Sequence, residues 1–385
     1  MNLKKISLVI IFLCMPIMHA AKWFVAGAGP AGIVVVGLLL DLGVEPKDIV
    51  WADPEFNVGR IGQYYQTVPG NTKTSLYIDF MRACKTFQEC DSPAMQELYT
   101  YELTQEYPLS IIVKPLQDIT NYMRTKVSAY QSSLTGLEFS ADMWHVELAD
   151  GSEFEVERVV LATGSHPKSL HYSECSQEIP LDVALNKEAL AQYITPEDTV
   201  AVVGSAHSAV LVLKFLSELP VGRIINFYKK PLVYTQDMGG WLLYSSSGLK
   251  GIAAEWAQKV LEKNPPCNLV RLFNSEKARQ AWLPLCSKIV YAAGYERNPI
   301  PGCKPDMAYD THTGKIAPGL FGIGIAFPEV IVDPAGNVEH KIGLNSFMQH
   351  ALDMLPVWSR GSHLGKMEKL YTFNKFEELL DIHVL

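Results

Sequence analysis

The sequence lacks closely spaced cysteine pairs, long basic runs and low-complexity segments, and each absence excludes a class of protein. Its seven cysteines form no Cys-x-x-Cys and no Cys-x4-Cys pair, which excludes a redox dithiol built from residues close in sequence. The net charge is −8 and no basic run after the N-terminus is longer than Lys229-Lys230, which argues against nucleic-acid binding. Of the 385 residues, 48% are hydrophobic and 19% charged, so we expect a compact body with buried cores rather than a disordered or membrane protein.

The N-terminus carries a separate signal. Lys4-Lys5, the apolar run Ile6–Met18 and the small residues that follow predict a secretory signal peptide over residues 1–21, cleaved near Ala20 or Ala21. The run is too short to form a stable membrane span. We therefore expect an exported protein (periplasmic, secreted or in the ER lumen) if the leader is cleaved, and otherwise a membrane-associated or cytoplasmic one. Six cysteines would remain after cleavage, compatible with up to three disulfides or with free thiols.

A glycine-rich turn follows the first apolar strand, Trp23–Ala26. It reads Gly27-Ala28-Gly29-Pro30-Ala31-Gly32, and an apolar helix follows it to Leu42. Residues without bulk let a pyrophosphate approach the backbone N–H groups at a helix N-terminus. A second strand ends at Asp53, 21 residues beyond Gly32, where a ribose needs an acceptor. This pattern predicts a dinucleotide site that involves Gly27, Gly29, Pro30, Ala31, Gly32 and Asp53.

A second turn of the same kind begins 177 residues after the first. Strand Thr199–Val203 runs into Gly204-Ser205-Ala206-His207-Ser208-Ala209, in which alanines take the second and third glycine positions. The next strand, Arg223–Tyr228, ends at Lys229-Lys230, and cations at that place suit a 2′-phosphate, unless the pair is simply solvated. We therefore expect Gly204, Ala206, Ser208, Lys229 and Lys230 to bind a nicotinamide dinucleotide, with NADPH favoured over NADH. Two such sites indicate electron transfer between a nicotinamide and a flavin.

The order of four motifs resembles a known superfamily. After the first turn come Ala162-Thr163-Gly164, the second turn, and Tyr291-Ala-Ala-Gly294-Tyr295. This order is similar to that of the FAD- and NAD(P)-dependent oxidoreductases with two dinucleotide-binding domains. They include the pyridine nucleotide-disulfide oxidoreductases and the class B flavin monooxygenases. The resemblance implies an α/β fold with two Rossmann-like domains, FAD and NADPH as cofactors, and Thr163, Gly164 and Gly294 at the crossings between domains.

The same resemblance implies the domain boundaries. An NAD(P) domain over residues 167–284 is expected as an insertion in a discontinuous FAD domain of residues 22–166 and 285–356. A tail of residues 357–385, with a helix at Asn374–Leu380, completes the chain. Near the end, Gly319–Gly324 resembles the last FAD strand, and Gly343 begins a helix over Leu344–Leu355 whose N-terminus would face the flavin. Many relatives carry Asp directly after the glycine that matches Gly324, whereas this chain has Ile325.

A segment after Asp53 resembles the stretch of flavin monooxygenases that leads to an Asn-Thr pair beside the flavin. It runs over residues 57–73 and contains Gly62, Gln63, Asn71 and Thr72, which we expect near the cofactor. By this resemblance Asn71 is the candidate catalytic residue, whose amide would hold the nicotinamide or an oxygen adduct of the flavin. The alternative is that Pro69-Gly70-Asn71 forms only a type II turn.

The motifs leave the reaction open. The monooxygenase signature Phe-x-Gly-x-x-x-His is missing before the second turn, where His166, His171 and Cys175 stand with too few further ligands for a zinc site. The favoured interpretation is a monooxygenase-like enzyme acting on a small molecule. One alternative is a reductase or dehydrogenase that passes electrons to a quinone or protein acceptor, and another is a non-catalytic flavin-binding partner protein. We expect no metal site, and the sequence does not indicate the oligomeric state.

Three further segments complete the expected architecture. Residues 137–160 predict a β-meander, and Leu76–Thr86 and Leu116–Tyr130 predict helices before it. The glycine- and aromatic-rich segment 237–248 is either a closing loop with hinges at Gly239, Gly240 and Gly248 or a plain surface loop.

Overall fold

The computed structural model describes residues 19–172, 177–301 and 307–360, with side chains described from residue 21 onward. The apolar leader Ile6–Met18, Cys175 and the predicted helix Asn374–Leu380 lie outside the described residues. The strands are β1 (His19–Ala26), β2 (Ile49–Ala52), β3 (Ser128–Tyr130), β4 (Leu134–Ser140), β5 (Met143–Leu148), β6 (Glu153–Leu161), β7 (Ser165–Pro167), β8 (Gln177–Glu178), β9 (Thr199–Val203), β10 (Arg223–Tyr228), β11 (Gln236–Asp237), β12 (Leu242–Leu243), β13 (Leu269–Phe273), β14 (Lys288–Tyr291), β15 (Tyr295–Arg297), β16 (Lys315–Ala317), β17 (Leu320–Gly322), β18 (Glu329–Val332) and β19 (Val338–Lys341). The helices are α1 (Pro30–Asp41), α2 (Gly59–Tyr64), α3 (Thr74–Arg82), α4 (Lys85–Gln88), α5 (Pro93–Leu98), α6 (Ser110–Arg124), α7 (Leu181–Ala184), α8 (Lys187–Ala191), α9 (His207–Ser217), α10 (Gly251–Trp256), α11 (Glu276–Trp282) and α12 (Leu344–Trp358).

A sheet with the strand order β16-β17-β6-β1-β2-β3 forms the centre of the first lobe. Strands β17, β6, β1, β2 and β3 are parallel, and β16 pairs with β17 in the antiparallel direction. Helix α1 is apolar on all sides because it is buried between this sheet and helices α6 and α12. The strand-turn-helix unit predicted from the first glycine turn is therefore at the middle of the lobe.

The predicted β-meander consists of β4, β5 and β6, which pair in the antiparallel direction. Strand β6 pairs with β5 and also with β1, so it belongs to both the meander and the parallel sheet. One helix predicted in this region is wrong at its C-terminal end. The helix expected over Leu116–Tyr130 stops at Arg124, and Ser128–Tyr130 is strand β3, which pairs with β2. Tertiary pairing with a parallel neighbour outweighs helix propensity in these three residues.

A second parallel sheet, of order β13-β10-β9-β14-β8, forms the centre of the second lobe. Strand β14 pairs with β9 from Lys288 to Tyr291, so the strand predicted as the start of the returning FAD domain at residue 285 lies in the second sheet. The chain leaves this sheet only after Tyr291. The inserted unit is thus one strand longer than the motif order implied.

The two connections between the lobes pair with each other. Strand β7 follows the first lobe and strand β15 follows the second, and they form an antiparallel ribbon in which Tyr295 pairs with Pro167. Each lobe has its own buried core on both faces of its sheet. The overall architecture is the predicted α/β fold with two Rossmann-like units.

Candidate functional site

The two glycine turns are built in the same way. Gly27 has φ +109°, and a Cβ placed on it would lie 2.3 Å from the carbonyl oxygen of Ala162. Gly204 has φ +138°, and a Cβ there would lie 2.2 Å from the carbonyl oxygen of Ala292. A side chain at either position would clash with the backbone of the next strand of its own sheet, so each first glycine is required by packing and by backbone conformation.

Both turns open helices with free N-termini. Helix α1 begins after Gly29 and helix α9 after Ala206, and in the described part of the chain no side chain caps either helix. Neither helix has an acidic residue in its first turn. The positive end of each helix and its unpaired N–H groups therefore suit an anionic group such as phosphate.

A cavity of about 700 Å³ lies at the first turn. It extends from the carboxyl ends of β1 and β2 to the N-terminus of α12, so it brings together parts of the chain that are far apart in sequence. Its lining includes eleven of the predicted site residues, namely Gly27, Gly29, Pro30, Ala31, Asp53, Gln63, Asn71, Thr163, Gly164, Gly324 and Gly343.

Other predicted residues lie away from this lining. Gly204, Ala206, Ser208, Lys229 and Lys230 are at the second turn, Gly294 is at the crossing, and Gly32, Gly62 and Thr72 are not part of the cavity lining. A Cβ on Gly32 would lie 2.0 Å from the carbonyl oxygen of Gly27, and one on Gly62 would lie 1.9 Å from that of Asn57. These two glycines allow close backbone packing, and the structure places neither of them in the cavity wall.

Asp53 has a structural partner in the first turn. Its carboxylate accepts hydrogen bonds from the backbone N–H groups of Ala28 at 2.7 Å, Glu55 at 2.8 Å and Phe56 at 2.6 Å. A carboxylate has about four acceptor positions. Asp53 therefore stabilises the turn and still lines the cavity with acceptor capacity for a ribose hydroxyl.

The proposed turn at Asn71 is not a type II turn. Gly70 lacks the positive φ that such a turn requires, and Pro69 instead forms a β-bridge with Pro108. The N–H group of Gly70 donates to the carbonyl oxygen of Tyr107 at 3.0 Å. This bridge holds Asn71 in the cavity wall, where Thr72 Oγ1 donates to its side-chain oxygen at 3.4 Å.

Sequence reasoning missed a polar cluster in the cavity wall. Asp182, on α7 of the second lobe, accepts hydrogen bonds from Arg60 Nη2 and from the Tyr65 hydroxyl. The Tyr65 hydroxyl also lies 3.1 Å from the hydroxyl of Tyr295. Burial, with smaller contributions from Tyr295 and Asp182, raises the pKa of Tyr65 far above its ordinary value. We call Arg60, Tyr65, Asp182 and Tyr295 the Asp182 cluster. Of these four, only Tyr295 belongs to a motif found in the sequence, as the last residue of a crossing motif.

Two further half-buried groups, His207 and Lys250, lie at the second turn and near it. Burial, together with the positive charge of Lys250, lowers the pKa of His207 to about 4. Its Nδ1 has no hydrogen-bond partner among the described residues. Burial also lowers the pKa of Lys250, against the attraction of Glu339 and Glu106.

The predicted closing loop is pinned at one end. Strands β11 and β12 make a short hairpin within it, and the buried carboxylate of Glu339 accepts hydrogen bonds from the backbone N–H of Ser246 at 2.8 Å and from Ser247 Oγ at 3.1 Å. Glu339 belongs to the hairpin of β18 and β19, so the loop of the second lobe is tied to the last part of the first.

The histidines near the first crossing are engaged with neighbours. His166 lies 2.9 Å from Asn298 Oδ1 and 3.1 Å from Glu296 Oε1, and His171 Nδ1 lies 3.2 Å from Ser169 Oγ. Within residues 19–172, 177–301 and 307–360, no three metal-ligating side chains come together. No helix in these ranges has the length and apolar character needed to cross a bilayer.

Comparison with known proteins gives one relative of similar length. The chain is 32% identical over 389 residues to the monooxygenase AgnR1 of Paecilomyces divaricatus, and the match covers 87% of this chain and 97% of that protein. No family model matches the chain.

Solved structures of similar fold include oxygenases and a reductase. A cadaverine monooxygenase of Erwinia amylovora, solved with bound FAD, has a TM-score of 0.59 at 13% identity, covering 93% of this chain and 98% of its own. A flavin-containing monooxygenase of Stenotrophomonas maltophilia has a TM-score of 0.57 at 12% identity, with 89% and 98% covered. The thioredoxin reductase of Lactococcus lactis has a TM-score of 0.54 at 12% identity, with 88% and 97% covered. At these identities the likeness is one of fold.

Proposed function

This chain belongs to the monooxygenase family of AgnR1, within the oxidoreductases with two dinucleotide-binding domains, and we propose that it binds FAD, takes hydride from NADPH and oxygenates a small molecule. The observation that carries the proposal is the pair of matched glycine turns, each of which opens a helix with a free N-terminus. One dinucleotide at each turn gives the enzyme a hydride donor and a hydride acceptor.

The first cavity fits FAD in its polar features. No protein atom lies near a Cβ placed on Gly29, so a side chain there would clash only with a bound ligand. The hydroxyl of Thr163 is buried in the lining and has no partner among the described residues, which leaves it free for a polar ligand. Gly27 to Ala31 would hold the pyrophosphate and Asp53 the ribose. When bound, FAD supplies the hydride acceptor and the oxygen chemistry of the reaction.

The far end of the cavity would receive the flavin ring. Asn71, the helix α12 N-terminus at Gly343 and the apolar side chains Ile325 and Phe347 line the cavity and would surround the ring. The positive end of α12 would stabilise negative charge on the ring, and the apolar side chains would exclude water from it. Asn71 would present its side-chain amide to the reacting face. The ribityl-binding Asp of many relatives has no counterpart at Ile325, so backbone groups and Thr163 would carry that role.

The second turn is the proposed NADPH site. The free N-terminus of α9 suits the pyrophosphate, and Lys229 and Lys230 are exposed at the end of β10 beside the turn. Ser205 Oγ of the turn donates to the carbonyl oxygen of Lys230 at 3.0 Å, which fixes the lysine pair next to the turn. Two cations at this place favour a 2′-phosphate, hence NADPH over NADH.

Anaerobic stopped-flow absorbance tests the function. The FAD-loaded protein is mixed with NADPH in the absence of oxygen, and the absorbance of the oxidised flavin is followed before air is admitted. We expect bleaching by NADPH, then a transient absorbance in air that decays faster with substrate. Bleaching followed by direct return of the oxidised band would make the protein a reductase. No bleaching would overturn the proposal and leave a flavin-binding partner protein.

We also propose that the protein is exported, with its leader removed near Ala20 or Ala21, and that an uncleaved form would be membrane-associated or cytoplasmic. The lysine pair and apolar run of the leader support this. Because β1 begins at His19 and buried Ala21 pairs with Val156, the cleaved chain would start within this strand. N-terminal sequencing of the protein from its host tests the proposal, and an N-terminus at Met1 would overturn it.

A further inference from the structure

The carboxylate of Asp182 joins the two lobes at the wall of the cavity. Asp182 lies on α7, whose residues Leu181 and Ala184 are buried in the core of the second lobe. Its two hydrogen-bond donors, Arg60 and Tyr65, come from the α2 segment of the first lobe, and both line the cavity. One side chain of the second lobe thus holds two residues of the first.

The cluster continues toward the second glycine turn. The Tyr65 hydroxyl is 3.1 Å from that of Tyr295, which also lines the cavity. Burial raises the pKa of Tyr295, and hydrogen bonding with Tyr65 and with Ser208 opposes the rise. Ser208 is in the first turn of α9, the helix of the second glycine turn. The cluster therefore extends from the cavity wall toward the proposed NADPH site.

The ion pair of Arg60 with Asp182 differs from a surface pair. The side chains of Arg60 and Asp182 are 29% and 16% exposed, whereas those of Lys187 and Glu218, on the same lobe as Asp182, are 40% and 35% exposed. Removing the charge of Asp182 leaves a partly buried guanidinium without its anion, which costs more than the loss of an exposed pair. Arg60 Nε has no partner among the described residues, so part of this side chain is free to meet a ligand.

We propose that Asp182 is a positioning residue for hydride transfer, which holds Arg60 and Tyr65 in the cavity wall and thereby keeps the NADPH lobe against the flavin cavity. The inference rests on the proposed function. Hydride transfer needs the two reacting atoms about 3–3.5 Å apart, and a misplacement of about 1 Å costs roughly 100-fold in rate. Asp182 acts through its two donors rather than on the reacting atoms.

The test compares four forms of the FAD-loaded protein in anaerobic stopped flow: wild type, Asp182→Asn, Asp182→Glu and Glu218→Gln. We expect Asp182→Asn to lower the flavin-reduction rate at saturating NADPH about 10- to 100-fold, with FAD content unchanged. The NADPH concentration for half-maximal rate should move much less. Asp182→Glu, which keeps the charge, should restore part of the rate. Glu218→Gln breaks the ion pairs of Glu218 with Lys187 and Lys214 on the same lobe and should be reduced like wild type.

A second readout needs no cofactor. Hydrogen–deuterium exchange of the FAD-free protein should rise in residues 59–65 and 181–184 in Asp182→Asn and stay unchanged there in Glu218→Gln. If Asp182 had only a local structural role, Asp182→Asn would lower the stability of the protein. It would not lower the reduction rate at saturating NADPH while leaving the NADPH concentration for half-maximal rate nearly unchanged. If Asp182→Asn does not fold, Tyr65→Phe removes one hydroxyl, keeps the Arg60 pair and should slow reduction about 3- to 10-fold.

The outcomes separate the two ideas. A wild-type protein that NADPH does not reduce would overturn the proposed function, and the positioning role with it. A wild type that is reduced, with Asp182→Asn and Tyr65→Phe equally fast and exchange unchanged, would overturn the role of Asp182 alone.

Discussion

The indole Nε1 of Trp51 donates a hydrogen bond of 2.9 Å to the carbonyl oxygen of Gly27. The second lobe repeats the arrangement, because Asn226 Nδ2 donates to the carbonyl oxygen of Gly204 at 2.8 Å. Each donor lies on the strand next to its turn. Trp51 directly precedes Ala52, whose carbonyl oxygen accepts the N–H of Gly27, and Asn226 directly precedes Phe227, whose carbonyl oxygen accepts the N–H of Gly204. In both lobes a buried side chain thus ties the first glycine of the turn to the neighbouring strand.

This relationship predicts a selective effect on each cofactor. Asn226→Leu leaves the Gly204 carbonyl without this donor and should weaken NADPH binding roughly tenfold, since an unpaired buried carbonyl costs about 1–3 kcal/mol. Its FAD content should stay at the wild-type level. Trp51→Phe, the matched change in the first lobe, should lower FAD retention and leave the NADPH turn intact. Titration with NADPH and the flavin absorbance of purified protein measure the two effects, and equal losses of both cofactors in both variants would contradict the idea.

Gly29→Val should fold normally and fail to retain FAD. The space around a Cβ at Gly29 is empty of protein atoms, so the change meets resistance only from a bound pyrophosphate. Gly27→Ala is the contrasting variant, because its Cβ would lie 2.3 Å from a carbonyl oxygen and the fold itself should lose several kcal/mol. Thermal unfolding and flavin absorbance distinguish them. A fully yellow Gly29→Val protein would remove the assignment of the first turn to FAD.

Replacing both Lys229 and Lys230 by Ala should weaken NADPH about tenfold or more and NADH little. Each ammonium that meets a phosphate contributes a charge-assisted hydrogen bond, about 1.5–3 kcal/mol, which NADH cannot use. The ratio of the NADPH and NADH dissociation constants is the measurement. An equal loss for both nucleotides would show that the lysine pair is simply solvated.

The half-buried His207 predicts loss of stability in acid. Its pKa in the folded protein is about 4, below the ordinary value of 6.5, so the unfolded chain binds the proton more tightly. Stability should therefore be complete above pH 6.5 and fall as the pH drops toward 4, by about 3 kcal/mol in total.

His207→Gln should flatten this part of the stability profile, measured by urea unfolding between pH 7 and pH 4. His145→Gln is the control, because the His145 side chain is 28% exposed and remote from the second turn. If both variants keep the wild-type slope, burial of His207 is not the cause of the acid sensitivity.

Much of the fold followed from short stretches of sequence. The strands around both glycine turns, the helices after them and the β-meander were predicted because apolar runs, glycine corners and turn residues act over a few neighbouring positions. The family and the two-unit α/β fold inferred from the motif order are confirmed. The individual cofactor residues remain predictions, although eleven of the predicted residues share one cavity. The domain boundary predicted at residue 285 is placed one strand too early, since β14 lies in the second sheet.

The failures have a common cause in long-range contacts. Ser128–Tyr130 forms a strand because it pairs with β2, and β14 belongs to the second sheet because it pairs with β9. Neither neighbour can be identified from local pattern, since each lies more than 70 residues away in sequence. The type II turn considered at Asn71 was excluded in the same way, by a bridge between Pro69 and Pro108.

The sequence by itself determined where the backbone turns and which helices open at a glycine, because φ and the room for a Cβ are local properties of each residue. It therefore determined that the protein has two dinucleotide turns. Only the tertiary structure decided what surrounds them. Asp182 meets Arg60 across 122 positions of sequence, and a pairing of that kind depends on how two folded lobes pack rather than on any pattern within either one.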